Sequence, residues 1–406
     1  MDTFTTENQF GSGEVRSWAS ILDDNCRQQA EAISRVPVVR DYLALMPDAH
    51  FGFGPPVGSA LITERAVMPY AVGVDIGCGM IAVKTDLPRD RFSEADARQV
   101  LGQIRELIPS GVGKSHRSPL PQAEAFFEVH GPPPGVEADS TLSTKRGPLT
   151  KNRTSLVDRA RIQFGTLGSG NHFVEVCADS DGIVWLLLHS GSRGIGNILA
   201  TAHVEAARAF DAEEGIALES DEFAYVLSGT REFEAYIADM LWAQRYAYEQ
   251  REAMMDGLIE AVRGVVGEFG TEPAINCHHN YAEEIEPDTW LVRKGAINAE
   301  AGRLGIIPGS MGAATYIVRG KGNAESYMTS PHGAGRQLGR GQARRQLDLE
   351  AFKSQMAGRT WLDRDASKLL DEAPDAYKPI ETVIEDSADL IEPVTVLSQF
   401  INYKGL

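Results

Sequence analysis

Cysteine is scarce in this chain. Four cysteines in 406 residues, at 26, 78, 177 and 277, are too few and too scattered for a disulfide scaffold, which points to a reduced compartment. Long apolar runs are missing too. No stretch of about 18 apolar residues occurs, so no transmembrane helix is expected. The opening Met1-Asp2-Thr3-Phe4-Thr5-Thr6-Glu7 has neither the basic nor the apolar region of a signal peptide, and a cytoplasmic protein with no membrane partner is expected. Basic residues are outnumbered, 39 Lys and Arg against 57 Asp and Glu. The net charge of −18 argues against binding nucleic acid over the whole surface. It leaves room for a local basic site. Arg319, Lys321, Arg336, Arg340, Arg344 and Arg345 gather around a segment whose one acid is Glu325, and Lys145, Arg146, Lys151 and Arg153 form a second group.

What is present is organised around Ala71-Val72-Gly73-Val74-Asp75-Ile76-Gly77-Cys78-Gly79-Met80. A carboxylate and a thiol stand three residues apart, and both can ligate a metal as anions. The glycines beside them allow a tight bend. Apolar residues on either side read as strand, bend, strand. A structural Cys buried on a glycine-rich turn would look the same, so partners elsewhere must decide.

Several segments offer partners. Residues 24–34 read as a surface helix, and 42–46 as a strand leading to Pro47-Asp48-Ala49-His50, where Asp48 and His50 also suit a turn. Ser93-Glu94-Ala95-Asp96 is a capping box, opening a helix with Val100, Ile104, Leu107 and Ile108 on one face. Gly113-Lys114-Ser115 is not a P-loop, because Ile108 stands where the first glycine belongs and no strand precedes it. Residues 115–155 are rich in Pro, Gly and charge with little periodicity, and read as a loop excursion. Gly168-Ser169-Gly170-Asn171-His172-Phe173-Val174-Glu175 enters a strand. A second strand, 183–188, ends at His189 and a glycine-rich turn, with a helix from about Ile198. The glycine spacing there is not the dinucleotide fingerprint. Residues 233–269 are a long helix whose apolar spacing is packing. Of the neighbouring His278 and His279, one can face a given site. His332, flanked by Gly333, Gly335 and Arg336, has no apolar periodicity around it and does not read as a core histidine. The apolar C-terminal segment from Phe400 is expected to dock. Asp75, Cys78, His172, His189 and one of the His278/His279 pair would serve one or two metal ions. By softness alone the choice would be Zn²⁺.

In these motifs the chain resembles the RtcB-type RNA-splicing ligases over nearly its whole length. The shared stretches are Met46-Pro47-Asp48-Ala49-His50, Val72 to Gly79, Gly168 to Phe173, His189-Ser190-Gly191-Ser192-Arg193, His279-Asn280, Arg293-Lys294-Gly295-Ala296, Ile307 to Gly312, His332 to Arg336 and Lys404-Gly405. The resemblance implies a GTP-dependent ligase that joins RNA 3′-phosphate or 2′,3′-cyclic phosphate ends to 5′-hydroxyl ends, in tRNA splicing or RNA repair. It implies two Mn²⁺ ions sharing Cys78, one completed by His189 and His279 and the other by Asp75 and His172. His332 would take GMP, with Asp48 assisting. Asn171, Glu175, Ser310, Gly333, Gly335 and Lys404 would hold the guanylate, and Arg336 the phosphates. RNA with those ends, GTP and an archease-like activator are the implied partners. Ile297 and the turn containing Phe53 and Pro55-Pro56 depart from the family pattern.

The competing readings are a dinuclear metal-dependent phosphoesterase, which would need the five ligands but not His332, and a non-catalytic RNA-binding protein, which would need a broader basic surface. For the fold, short strands and glycine-rich turns with a few long helices, without a regular βαβ rhythm, read as α+β. A single large domain over 1–406 is expected, with a mixed-sheet core, peripheral helices and an RtcB-like fold.

Overall fold

Apolar strands separated by glycine turns assemble into two main sheets in the computed structural model, which describes residues 1–137 and 139–405. One sheet has six strands, in the order Asp2–Asn8, Gly11–Ser17, Val39–His50, Val57–Glu64, Thr289–Lys294 and Asn280–Glu286. Its second and third strands run parallel and the other neighbours antiparallel. The other has seven antiparallel strands, in the order Ile275–His278, Gly79–Pro88, Ile183–Ser190, Phe173–Ala178, Ile391–Lys404, Thr315–Gly320 and Leu304–Pro308. Helices pack outside this mixed-sheet core, giving the expected α+β fold. Among the described residues no helix is long and apolar enough to cross a membrane.

The long helix is Arg231–Val266, capped by the Thr230 hydroxyl, which accepts from the Phe233 amide at 3.3 Å. Its buried face joins two apolar clusters, with Met240 and Tyr246 in one and Met254 and Leu258 in the other. Leu241, though in phase by sequence, is 49% exposed. The capping box forms: Ser93 Oγ accepts from the Asp96 amide at 3.2 Å, and Asp96 Oδ2 accepts from the Ser93 amide at 2.9 Å. The C-terminal segment docks as an interior strand of the seven-stranded sheet.

Three expectations change in detail. The chain before Asp75 is a helical turn, Pro69–Val72, and not a strand, since Pro69 at its first position presets the helical φ and lacks an amide hydrogen that would go unused there. The helix expected from about Ile198 starts at Arg193. Residues 115–155 carry a helix, Pro121–His130, whose Phe126 and Phe127 are buried together with Leu142 and Leu149. Phe126 lies 5.5 Å from the rings of both Trp242 and Tyr246, edge to face. Two adjacent aromatics anchor this segment without the spaced apolar residues that a periodicity search registers.

Phe126→Ala should therefore destabilise the fold by about 3–5 kcal/mol, the range for truncating a buried aromatic. A guanidinium denaturation midpoint within error of the parent would show that the segment is not part of the core.

Candidate metal and phosphoryl-transfer site

Sheet register brings the ligand-bearing residues level. Gly79 pairs with Ser190 on one side and His278 on the other, while His189 pairs with Phe173, and Phe173 with Lys404. Cys78, His189, His279, His172 and Lys404 thus stand at one end of five adjacent strands. Gly79 must be glycine: a Cβ there would meet the Cys277 carbonyl oxygen at 2.1 Å. The chain crosses from the seven-stranded to the six-stranded sheet at His279, whose amide donates to the Cys78 carbonyl at 2.7 Å. His278 faces away, with Nδ1 at 2.9 Å from the Gly77 carbonyl and 3.2 Å from Arg251.

Cys78 Sγ lies 3.4 Å from His172 Nε2 and 3.2 Å from His189 Nε2, all three residues being buried. His189 Nε2 is 2.9 Å from His279 Nε2, and His172 Nε2 is 3.0 Å from Asp75 Oδ2. The outward nitrogens settle the tautomers. His172 Nδ1 meets the Leu167 carbonyl at 2.9 Å and His189 Nδ1 the Asn171 carbonyl at 3.3 Å, so both carry hydrogen on Nδ1. His279 Nδ1 faces Asn280 Oδ1 at 3.4 Å, and that oxygen is identified by the Gly295 amide donating to it at 2.9 Å. The bare lone pairs of His189 and His279 therefore point at each other. Burial holds both imidazoles well below their ordinary protonation range, so a proton does not relieve this contact. A divalent cation does, and thiolate, carboxylate and neutral imidazole are its ordinary ligands. The residues fit a metal centre. Burial, with Asp75 adding to it, pushes the Cys78 thiol well up until such an ion is bound.

Arg251 was not singled out by sequence. It is fully buried on the long helix and donates to the Gly77 carbonyl at 2.7 Å, the Ser190 carbonyl at 3.1 Å and Asn276 Oδ1 at 2.9 Å. A cation in phase with Met254 and Leu258 on an apolar helix face was the available signal.

His332 and Asp48 meet beside this cluster. His332 Nδ1 is 2.7 Å from Asp48 Oδ2, though the approach is off the hydrogen-bond axis, and no donor reaches Asp48 Oδ1. Asp48 is wholly buried, and its Oδ2 accepts from the His332 and Gly333 amides, each at 3.2 Å. Gly335, at φ +72°, lets the chain wrap the Asp48 backbone, where a Cβ would lie 2.1 Å from the Asp48 carbonyl oxygen. The His332 ring centre is 4.5 Å from that of His279.

A cavity of about 350 Å³ is lined by His332 and, from the ligand cluster, by Asp75, His189 and His279. Asn171, Glu175, Ser310, Gly333, Arg336 and Lys404 all line it. Asn402 Nδ2 donates to Glu175 Oε1 at 2.7 Å, and burial raises the Glu175 carboxyl to about 7. The Ser310 carbonyl accepts from Gln399 at 3.2 Å. Lys404 Nζ donates to Glu372 at 2.7 Å and to the Asn171 carbonyl at 3.2 Å. Arg336 is engaged by Glu372 at 2.6 Å and Tyr377 at 2.6 Å, and Arg340 by both Asp371 and Glu372. These acids, together with the Asp371–Arg344 pair at 3.1 Å, neutralise much of the basic group that looked unpaired in sequence. Despite its burial, Glu372 stays ionised down to about pH 2, because Lys404, Arg336 and Arg340 surround it. Lys294, also missed, is buried with Nζ donating to the Phe53 and Tyr70 carbonyls.

The chain is similar to known proteins over nearly its whole length. Residues 29–405 match the family profile described as "tRNA-splicing ligase RtcB". The chain is 36% identical over 420 residues to the RNA-splicing ligase RtcB of Escherichia coli (strain K12), covering 100% of this chain and 99% of that protein. It is 31% identical to the RNA-splicing ligase RtcB of Mycobacterium tuberculosis, covering 84% and 91%, and 28% identical to the tRNA-splicing ligase RtcB of Archaeoglobus fulgidus, covering 91% and 88%.

Two outcomes follow from the geometry. His189→Ala and Cys78→Ala should each sharply lower bound Mn²⁺ or Zn²⁺ in equilibrium dialysis, whereas His278→Ala should retain it; equal loss in all three would contradict the orientation of the pair. For Glu175, the folded carboxyl holds its proton up to about pH 7 while the unfolded one releases it near 4.5. Stability due to this group therefore falls as pH rises through that window. Glu175→Gln should gain stability relative to the parent between pH 5 and pH 8 in urea melts, and a pH-independent difference would rule out the buried carboxyl as the cause.

Proposed function

The chain belongs to the RtcB family of tRNA-splicing ligases, and on that footing we propose that this RNA ligase joins RNA 3′-phosphate or 2′,3′-cyclic phosphate ends to 5′-hydroxyl ends with GTP, through a guanylylated His332. The observation that carries the reading is the position of His332, backed by Asp48 and ring to ring with His279, in a cavity also lined by Asp75 and His189.

With Nδ1 held 2.7 Å from Asp48 Oδ2, His332 Nε2 is the nitrogen left to attack. Its lone pair would bond to the α-phosphorus of GTP, and the bond from that phosphorus to the bridging oxygen would break, releasing pyrophosphate. The ring gains positive charge in the adduct, and the buried Asp48 carboxylate stabilises it. Next, an oxygen of the RNA 3′-phosphate attacks the same phosphorus. The N–P bond breaks, His332 is restored, and an RNA-guanylate forms. The 5′-hydroxyl oxygen then attacks the 3′-phosphorus, loses its proton, and GMP departs. A cyclic phosphate is first opened by water.

Asp75, Cys78, His172, His189 and His279 would hold two divalent ions, with Cys78 shared; Mn²⁺ is the expected ion, and Zn²⁺ also suits the ligands. Such ions supply charge neutralisation at the phosphates and orient the attacking and leaving oxygens. Glu175, once ionised, accepts from the two N–H groups on the guanine edge, a pattern adenine lacks. Asn171, Ser310, Gly333, Gly335 and Lys404, which line the same cavity, would hold the rest of the guanylate, and Arg336 its phosphates.

Incubation with α-labelled GTP and Mn²⁺ should give a labelled protein band on a denaturing gel that is acid-labile, alkali-stable and absent in His332→Ala. A protein that binds metal, leaves GTP intact and shows no band would instead be a dinuclear phosphoesterase.

A further inference from the structure

One departure from the family pattern has no part in the chemistry above. The turn joining Val39–His50 to Val57–Glu64 carries Phe51 and Phe53, which are 61% and 72% exposed. Large aromatics are seldom left so open, and exposed apolar groups beside a functional cavity mark a binding surface. Phe53 lines the cavity that holds His332, His189 and His279, together with Val74, itself 38% exposed.

The turn is also fixed. Gln29 Nε2 donates to the Gly52 and Gly54 carbonyls, and Gln29 Oε1 accepts from the Gly52 amide at 3.2 Å. The Gly54 amide donates to Glu222 Oε2 at 2.7 Å, and the buried Lys294 ammonium donates to the Phe53 carbonyl. The backbone is anchored on both sides of Phe53 while its ring stays mostly exposed. That arrangement costs a ligand little ordering entropy. It suits a flat, unpaired group, and nucleobases stack on such rings whatever their sequence.

We propose that Phe53 is a stacking ledge for the terminal nucleobase of an unpaired RNA 3′-phosphate end entering the cavity. The proposal rests on the RNA-ligase reading and adds to it a positioning residue outside the reacting groups. Stacking the last base would hold the strand end at the cavity mouth, with its phosphate directed inward.

The test uses a short unpaired RNA bearing a 3′-phosphate and a 5′ fluorophore, and the same RNA made abasic at its last nucleotide. Binding is read by anisotropy with the full protein, Phe53→Ala and Phe53→Trp. Phe53→Ala should weaken binding of the complete RNA about tenfold, the size of one lost stacking contact. Phe53→Trp should restore it. The abasic RNA should bind the parent and Phe53→Ala alike, since either change removes the same contact. Unchanged affinity in Phe53→Ala, or an equal loss with the abasic RNA, overturns the ledge. Joining of this end to a 5′-hydroxyl RNA is measured beside it with the unaltered protein. Joining without base-dependent binding overturns the ledge alone; base-dependent binding without joining overturns the ligase reading and leaves the ledge standing.

Discussion

The guanidinium of Arg251 is the tie on which the rest of the centre depends. It comes from a helix outside the sheets and reaches the Gly77 and Ser190 carbonyls, Asn276 and His278. Those groups belong to the three turns that deliver Cys78, His189 and His279. Burying a cation is costly unless every donor is used, and burial brings the pKa of this group down to about 10 even with the Cys78 and Asp75 groups nearby. The cost is offset only when all three turns are in place, so the same interaction that stabilises Arg251 fixes the spacing of the ligands. Backbone carbonyls satisfied from within leave the ligand side chains free to face the cavity.

Around that centre the protein sets charges by pairing rather than by excess. A chain with net charge −18 lines its cavity with Arg336, Arg340 and Lys404, then balances them with Glu372 and Asp371. Glu372 sits among cations as a phosphate oxygen would. The acids keep the lysine and arginines ordered, and they confine anion attraction to one concave place.

The same economy of groups relates the candidate metal ligands to His332. His279 contributes Nε2 to the cluster while its ring lies against His332. The family match spans nearly the whole chain, and the geometry adds a buried Cys/His cluster whose imidazole nitrogens face each other at 2.9 Å.

Much of this was legible in the chain itself. The residue types and order of Asp75, Cys78, His172, His189 and His332, the Ser93 capping box, the long helix and the α+β class are all readable, because glycine turns, caps and apolar period are local signals. The choice of His279 over His278 was not readable from the residues. It depends on where a strand ends and the chain changes sheet. Nor was the pairing of Arg336, Arg340 and Arg344 with Asp371 and Glu372 visible, since the segment holding the arginines contains a single acid. Residues 115–155 lacked periodicity yet bury Phe126 and Phe127, because two adjacent rings meet aromatics more than a hundred positions away. By itself the sequence determined which groups are available and which local turns present them. Tertiary structure alone decided which groups face each other, because strand register and packing act between residues that no local pattern connects.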